Sequence, residues 1–162
     1  MAAISFVKET PAFKFPRVRE TISMLMEIAE KEKKMVERVV YYFVSDDTLH
    51  SINKKHLQHD TLTDIITFDY SYVDTYNNAL LVSEIYVSID RIKDNAKLFN
   101  TDFGTELRRV LFHGILHLCG YKDKKPAEKI TMREKEDYYL TIFSNKFPVR
   151  GKVTKPSLLK KF

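Results

Sequence analysis

The stretch HGILHLCGYKD, residues 113–123, decides how the rest of this 162-residue chain reads. It sets His113 and His117 four residues apart in a chain that has 5 histidines in all, and residues at that spacing share one face of a helix. In the longer run FGTELRRVLFHGILHL, Leu107, Val110, Leu111 and Leu118 fall on one stripe, so a helix is predicted over about 104–118 with both imidazoles beside its apolar face. Two imidazoles one turn apart can grip one metal ion. Gly120, just past the last periodic residue, suits a left-handed cap that turns the chain back, and Asp123 then comes within reach of the histidines. A set of His113, His117 and Asp123 leaves one coordination position open, as a catalytic zinc site requires and a closed structural site does not. Paired histidines that merely hydrogen-bond in a core share the same spacing. Gly114 argues for more, because a glycine inside a helix costs roughly 1 kcal/mol. Its missing side chain implies close approach by another segment or by substrate.

Outward from this motif the elements alternate in type. ISFV near the start reads as a short strand, and Val18, Ile22, Leu25, Met26 and Ala29 recur at helical spacing. VERVVYYFVS, residues 36–45, is rich in β-branched and aromatic residues and reads as a strand; DDTLHSIN, which opens with two candidate caps, reads as a short helix. Strands are predicted at residues 63–70 and 80–89 across a polar turn holding Asp74, Asn77 and Asn78, followed by helices at about 90–99, 104–118 and 127–146. The fold class is therefore α/β or α+β, a single mixed sheet of about four strands covered by about five helices. Strand order is not legible at this level.

Length and 44% hydrophobic content suit one domain, here assigned to residues 1–146. No apolar run approaches the ~20 residues of a membrane span, the opening MAAISFVKET lacks a basic segment followed by an apolar core, and a lone cysteine, Cys119, forms no internal disulfide. A soluble, cytoplasmic protein is expected. The formal net charge of +5 is concentrated rather than spread: residues 146–162 carry six basic residues and no acidic one. Residues 147–162 thus read as a basic, flexible arm, either a phosphate-binding tail or a solubilising terminus.

HGILHLCGYKD resembles the signature of the YbeY family of bacterial endoribonucleases, H-G-x-L-H-L-x-G-Y-D-H, whose three histidines bind zinc. The likeness extends to INKKHLQHDTLTDIITF (residues 52–68), LVSEIYVSIDRIKDNA (residues 81–96) and ELRRVLFHG (residues 106–114), in the family's order and spacing. The resemblance implies a zinc-dependent endoribonuclease acting on single-stranded RNA, with roles in maturation of the 16S ribosomal RNA 3' end and in ribosome quality control. The implied partners are ribosomal RNA and the ribosome or its small subunit.

The departures are informative. The family's third histidine falls on Asp123 and its preceding aspartate on Lys122; an anionic ligand lowers the metal's net charge and makes a bound water less acidic. The family's arginine after N-x-x-Y falls on Leu57, with His56 at the tyrosine position. Leucine cannot hold a phosphate, so Lys54, Lys55, His56 or His59 is expected to substitute as an RNA contact through single-point bonds. The family's G-D pair falls on Ser83 and Glu84, and Glu84 is the expected general base or orienting acid beside catalytic His113 and His117. Asp64 matches the family's T-D and is expected to cap or orient the site; Tyr121 is expected to pack against the turn. Water and the substrate's 2'-hydroxyl remain alternative nucleophiles. Two other readings stand beside the nuclease: a ribosome-associated RNA-binding protein with a structural metal, and a metallopeptidase. The second is disfavoured because zinc peptidases of the H-E-x-x-H type place their base after the first histidine, where this chain has Gly114.

Overall fold

The computed structural model describes residues 3–9, 13–57 and 63–149; His59 and the basic segment 150–162 lie outside the described residues. In chain order the elements are β1 (Ile4–Lys8), α1 (Val18–Lys31), β2 (Met35–Val44), α2 (Asp46–Leu57), β3 (Ile65–Asp69), β4 (Tyr72–Val73), β5 (Ala79–Ser88), α3 (Ile89–Leu98), α4 (Phe103–Leu118) and α5 (Pro126–Lys146). The sheet runs β1-β2-β5-β3, with β4 also paired to β5. β1, β2 and β5 are mutually parallel, whereas β3 and β4 run antiparallel to β5, so the sheet is mixed. The described strands number five rather than the expected four, because β4 spans only two residues and is too short for any alternation to show in the sequence. α2 also differs in its start. Its cap is Ser45, whose Oγ accepts the Thr48 N–H at 3.1 Å, while Asp46 is drawn to Arg91 at 3.1 Å.

Period-two alternation sorts the two faces of the sheet. Leu81, Ile85 and Val87 of β5 point into the larger core with α1, α4 and α5, where Leu25, Ile28, Leu107, Leu111 and Ile115 are fully buried. Tyr86 points to the opposite face, where Val44, Leu49 and Ile66 form a smaller cluster under α2. At roughly 25 cal/mol per Å2 each large side chain buried there contributes about 1.5–3 kcal/mol, so the larger core is what fixes α4 against the sheet.

Three local devices set the position of α4. Asp102 caps its start, with Oδ1 accepting the Thr105 N–H at 2.8 Å. The buried Tyr41 hydroxyl donates to the Leu111 carbonyl at 2.8 Å and ties the middle of the helix to β2. Gly114 lets the helix approach the sheet, because a Cβ there would meet Ile65 Cδ1 at 3.1 Å and Ile85 Cδ1 at 3.3 Å. Of the two expectations for that glycine, close approach by another segment is the one observed.

The helix ends in a Schellman motif. Tyr121 N–H donates to the Leu116 carbonyl at 3.1 Å and Gly120 N–H to the His117 carbonyl at 3.0 Å. Gly120 has φ +107°, a conformation that side-chain-bearing residues rarely adopt. Beyond it Tyr121 is held by its hydroxyl. Glu32, capping the end of α1, accepts from Tyr121 at 2.8 Å, from Tyr139 at 2.7 Å and from Lys135 at 3.2 Å. One carboxylate thus joins α1, the turn after α4, and α5. Burial pushes Glu32 upward, but the three donors outweigh it and hold the carboxyl below the usual glutamate range.

Two outcomes follow from this packing. Gly114→Val should drive α4 off Ile65 and Ile85 and cost about 1–3 kcal/mol in urea unfolding; an unchanged midpoint would contradict the close approach. The depressed Glu32 carboxyl stabilises the fold fully above the unfolded glutamate value of about 4.3 and loses that contribution as pH falls through its lower folded value. Stability of the parent chain should therefore decline more steeply below about pH 4.3 than that of Glu32→Gln, measured by the urea midpoint at each pH; parallel profiles would remove Glu32 from the acid response.

Candidate metal centre

α4 and the turn after it converge on one point. His113 Nε2 lies 3.2 Å from Asp123 Oδ2, and His117 Nε2 lies 3.4 Å from Asp123 Oδ1. The three ligand atoms all lie within 4.8 Å of one another. Tetrahedral zinc with bonds of about 2.0–2.1 Å separates neighbouring ligand atoms by about 3.3 Å, so both separations match an edge of such a site. The rings stand nearly perpendicular, at 85° with centroids 4.8 Å apart, each presenting a nitrogen edge to Asp123. His113, His117 and Asp123 remain 20%, 33% and 37% exposed and border a cleft of roughly 960 Å3, which leaves room for a reactant beside them.

α5 supplies the group behind His113. Its Nδ1 is 2.8 Å from Glu136 Oε2, and Glu136 is 7% exposed. An ionised carboxylate only accepts, so Nδ1 carries the proton and Nε2 faces Asp123. A neutral imidazole would then present a lone pair to a carboxylate oxygen, an arrangement that requires a cation between them or a second proton on the ring. Burial acts on His113 downward and most strongly, but the Glu136 hydrogen bond and the charges of Glu136, Asp123 and Asp64 together raise it above the ordinary histidine value. A metal at this point would take the place of that second proton, and the donor set of two imidazoles and one carboxylate, with a carboxylate behind the first imidazole, fits zinc.

Glu136 is itself held. Its other oxygen accepts from Arg109 Nη1 at 3.1 Å, and Arg109 Nη2 donates to Asp137 at 2.7 Å. The guanidinium therefore locks α5 to α4 at the level of the ligand helix. Three more acids face the cleft, Asp64, Asp69 and Glu106. Asp64, just before β3, is raised above the usual aspartate range by burial, against the pull of His113, and Glu106 is raised by burial against the pull of Arg109 and Arg133.

The structure brings together His113, His117 and Asp123 and sets Asp64 beside them. Glu84 does not join them: β5 sends Ile85 toward α4, and alternation sends Glu84 to the opposite face, beside Tyr86 and paired in register with Phe68. Lys54, Lys55 and His56 are exposed at the end of α2, with the His56 ring edge-on to Phe68 at 6.0 Å on that same face. None of the three lines the cleft, although Asn53 does. Tyr121 packs against the core with its hydroxyl on Glu32, as expected of a residue bracing the turn. Sequence reasoning missed Glu136 and Arg109. The available signal was Glu136 itself, an acid on the stripe of Met132, Tyr139 and Phe143 that α5 buries.

Known proteins share this arrangement of sequence. The family model described as Endoribonuclease YbeY matches residues 4–144. A protein named Endoribonuclease YbeY from Flavobacterium johnsoniae is 45% identical over 140 residues, which span 86% of this chain and 96% of that protein. Its namesake from Christiangramia forsetii is 41% identical over 140 residues, spanning 86% and 94%. The solution structure of TM1509 from Thermotoga maritima aligns at a TM-score of 0.62 with 29% identity, covering 98% of this chain and 99% of that one. With the match running from β1 through α5 and enclosing the whole His-His-Asp centre, this chain belongs to the Endoribonuclease YbeY family.

Proposed function

We propose that this chain is a zinc-dependent endoribonuclease that cuts single-stranded RNA, with maturation of the 16S ribosomal RNA 3' end and ribosome quality control in the cytoplasm as its role. The observation that carries the reading is the open His113, His117 and Asp123 set on the wall of a large cleft. The names of its relatives supply the reaction class. No helix among the described residues is long and apolar enough to cross a membrane.

A zinc ion held there supplies a Lewis acid for a phosphoryl oxygen and lowers the pKa of a water toward 7. The chain's own groups do the rest. Glu136 holds His113 in the tautomer that turns Nε2 toward Asp123, and Arg109 holds Glu136 in place. Asp64, in the same cleft and close enough to act on His113, is the carboxylate positioned to orient the attacking hydroxyl, a role that Glu84 on the far face of the sheet cannot reach. Gly114 is turned toward Ile65 and Ile85 and has no proton to move, which leaves the peptidase mechanism without its base.

The double substitution His113→Ala with His117→Ala should abolish both zinc content and cleavage of a single-stranded oligoribonucleotide while leaving the far-ultraviolet circular dichroism spectrum unchanged. Cleavage indifferent to that change would overturn the enzymatic site, and ribosome binding that persists without any cleavage in the parent chain would favour an RNA-binding protein with a structural metal. Elemental analysis of Asp123→Ala should show reduced zinc; full occupancy would remove Asp123 from the ligand set. Glu136→Gln should weaken zinc binding about 10- to 100-fold, measured by competition with a chelator. An unaltered affinity would show that Glu136 does not set the basicity of His113.

A further inference from the structure

RNA brings one negative charge per nucleotide into a cleft whose walls carry Asp64, Asp69 and Glu106 besides the metal centre. Something cationic has to offset them where the strand crosses the ligands. Three basic side chains line that cleft: Arg109, Lys124 and Arg133. Arg109 is already committed, with one arm of its guanidinium on Glu136 and the other on Asp137. Arg133 and Lys124 are exposed, and neither forms an ion pair with a described residue. Their backbone positions bracket the metal ligands. Lys124 directly follows Asp123, and Arg133 stands on α5 three residues before Glu136, about 4.5 Å along the axis and on the same side of the helix. The charge of Arg133 is felt inside the cleft at Glu106. By contrast Lys54, Lys55 and His56 lie outside the cleft lining.

We propose that Arg133, assisted by Lys124, is the phosphate-holding subsite of this cleft, gripping the RNA phosphodiester beside the one presented to His113, His117 and Asp123. This inference rests on the reading of the cleft as an RNA site and adds which residues of this chain engage the backbone. A guanidinium offers a planar pair of donors matched to two phosphate oxygens, whereas an ammonium offers a point charge. Arg133 therefore sets orientation, and Lys124 adds attraction. Contacts of this type are read by the salt dependence of binding, with a slope of about −0.7 in log K against log salt for each phosphate neutralised on a single strand.

The test uses the full zinc-loaded chain and a fluorescein-labelled, 2'-O-methylated single-stranded oligoribonucleotide that resists cleavage, with binding followed by fluorescence anisotropy over a range of salt. Arg133→Gln should weaken binding about tenfold at low salt and make the slope shallower by about 0.7, with zinc content and thermal midpoint unchanged. Arg133→Lys should keep the slope but recover only part of the affinity, which a purely structural role would not produce. Arg19→Gln makes the same charge change on α1, no residue of which lines the cleft, and should stay within about twofold of the parent. If the parent binds and cuts RNA while Arg133→Gln behaves like Arg19→Gln, the subsite is wrong and the nuclease reading stands. A parent chain that neither binds nor cuts RNA overturns both.

Discussion

The contact between His113 Nδ1 and Glu136 Oε2, 2.8 Å long and part-buried, is the constraint on which the rest of the centre depends. It spans 23 residues of sequence and joins two helices. By placing the proton on Nδ1 it decides which nitrogen looks outward, and by fixing the ring it decides where that nitrogen points. Glu136 can act in this way only because Arg109 compensates its charge in a site shielded from water, where an unpaired carboxylate would cost several kcal/mol. The result is a chain of charge, from Asp137 through Arg109 and Glu136 to His113, that ends at the cleft.

The third candidate ligand depends on a different kind of constraint. Asp123 sits in a turn, and turns are ordinarily the least fixed part of a fold. Here the turn is held at both ends, by the Schellman hydrogen bonds around Gly120 and by the start of α5 at Pro126, where Glu128 accepts the Lys125 N–H at 2.9 Å. Between them the Tyr121 hydroxyl is drawn to Glu32 at the far end of α1. Because Glu32 also takes the Tyr139 hydroxyl, the turn carrying Asp123 and the helix carrying Glu136 are referred to a single part-buried carboxylate. Asp123 and the supporting carboxylate Glu136 therefore share one frame.

A glycine in the middle of α4 has a similar geometric logic. Without Gly114 the helix could not approach Ile65 and Ile85 as closely, and Asp64, which adjoins Ile65, would stand farther from His113. The backbone freedom lost in the helix is offset by contact between helix and sheet. The cleft owes its shape to the same approach, since β3 forms one wall and α4 the other.

Local signals marked all five helices and the long strands: helical periodicity marked α1 and α4, β-branched and aromatic content marked β2, and candidate caps marked α2. The spacing of His113 and His117, with Gly120 and Asp123 after them, was enough to mark a ligand set, since one helical turn and one cap bring those groups together without help from the rest of the chain. Elements governed by distant partners stayed hidden: the two-residue β4, the cap at Ser45, and Glu136, which looks like any acid on an amphipathic helix until α5 is laid against α4. The face of a strand residue was equally out of reach. Glu84 lies in a block resembling the family's site, yet β5 points it away from α4, because only the pairing of β5 with its neighbours and the side on which α4 packs determine which alternate residues meet the metal centre. What this sequence determined by itself is local, one helix, one turn and three candidate ligands; which carboxylates and cations surround them was decided by tertiary packing, because those groups are brought there by contacts between segments far apart in the chain.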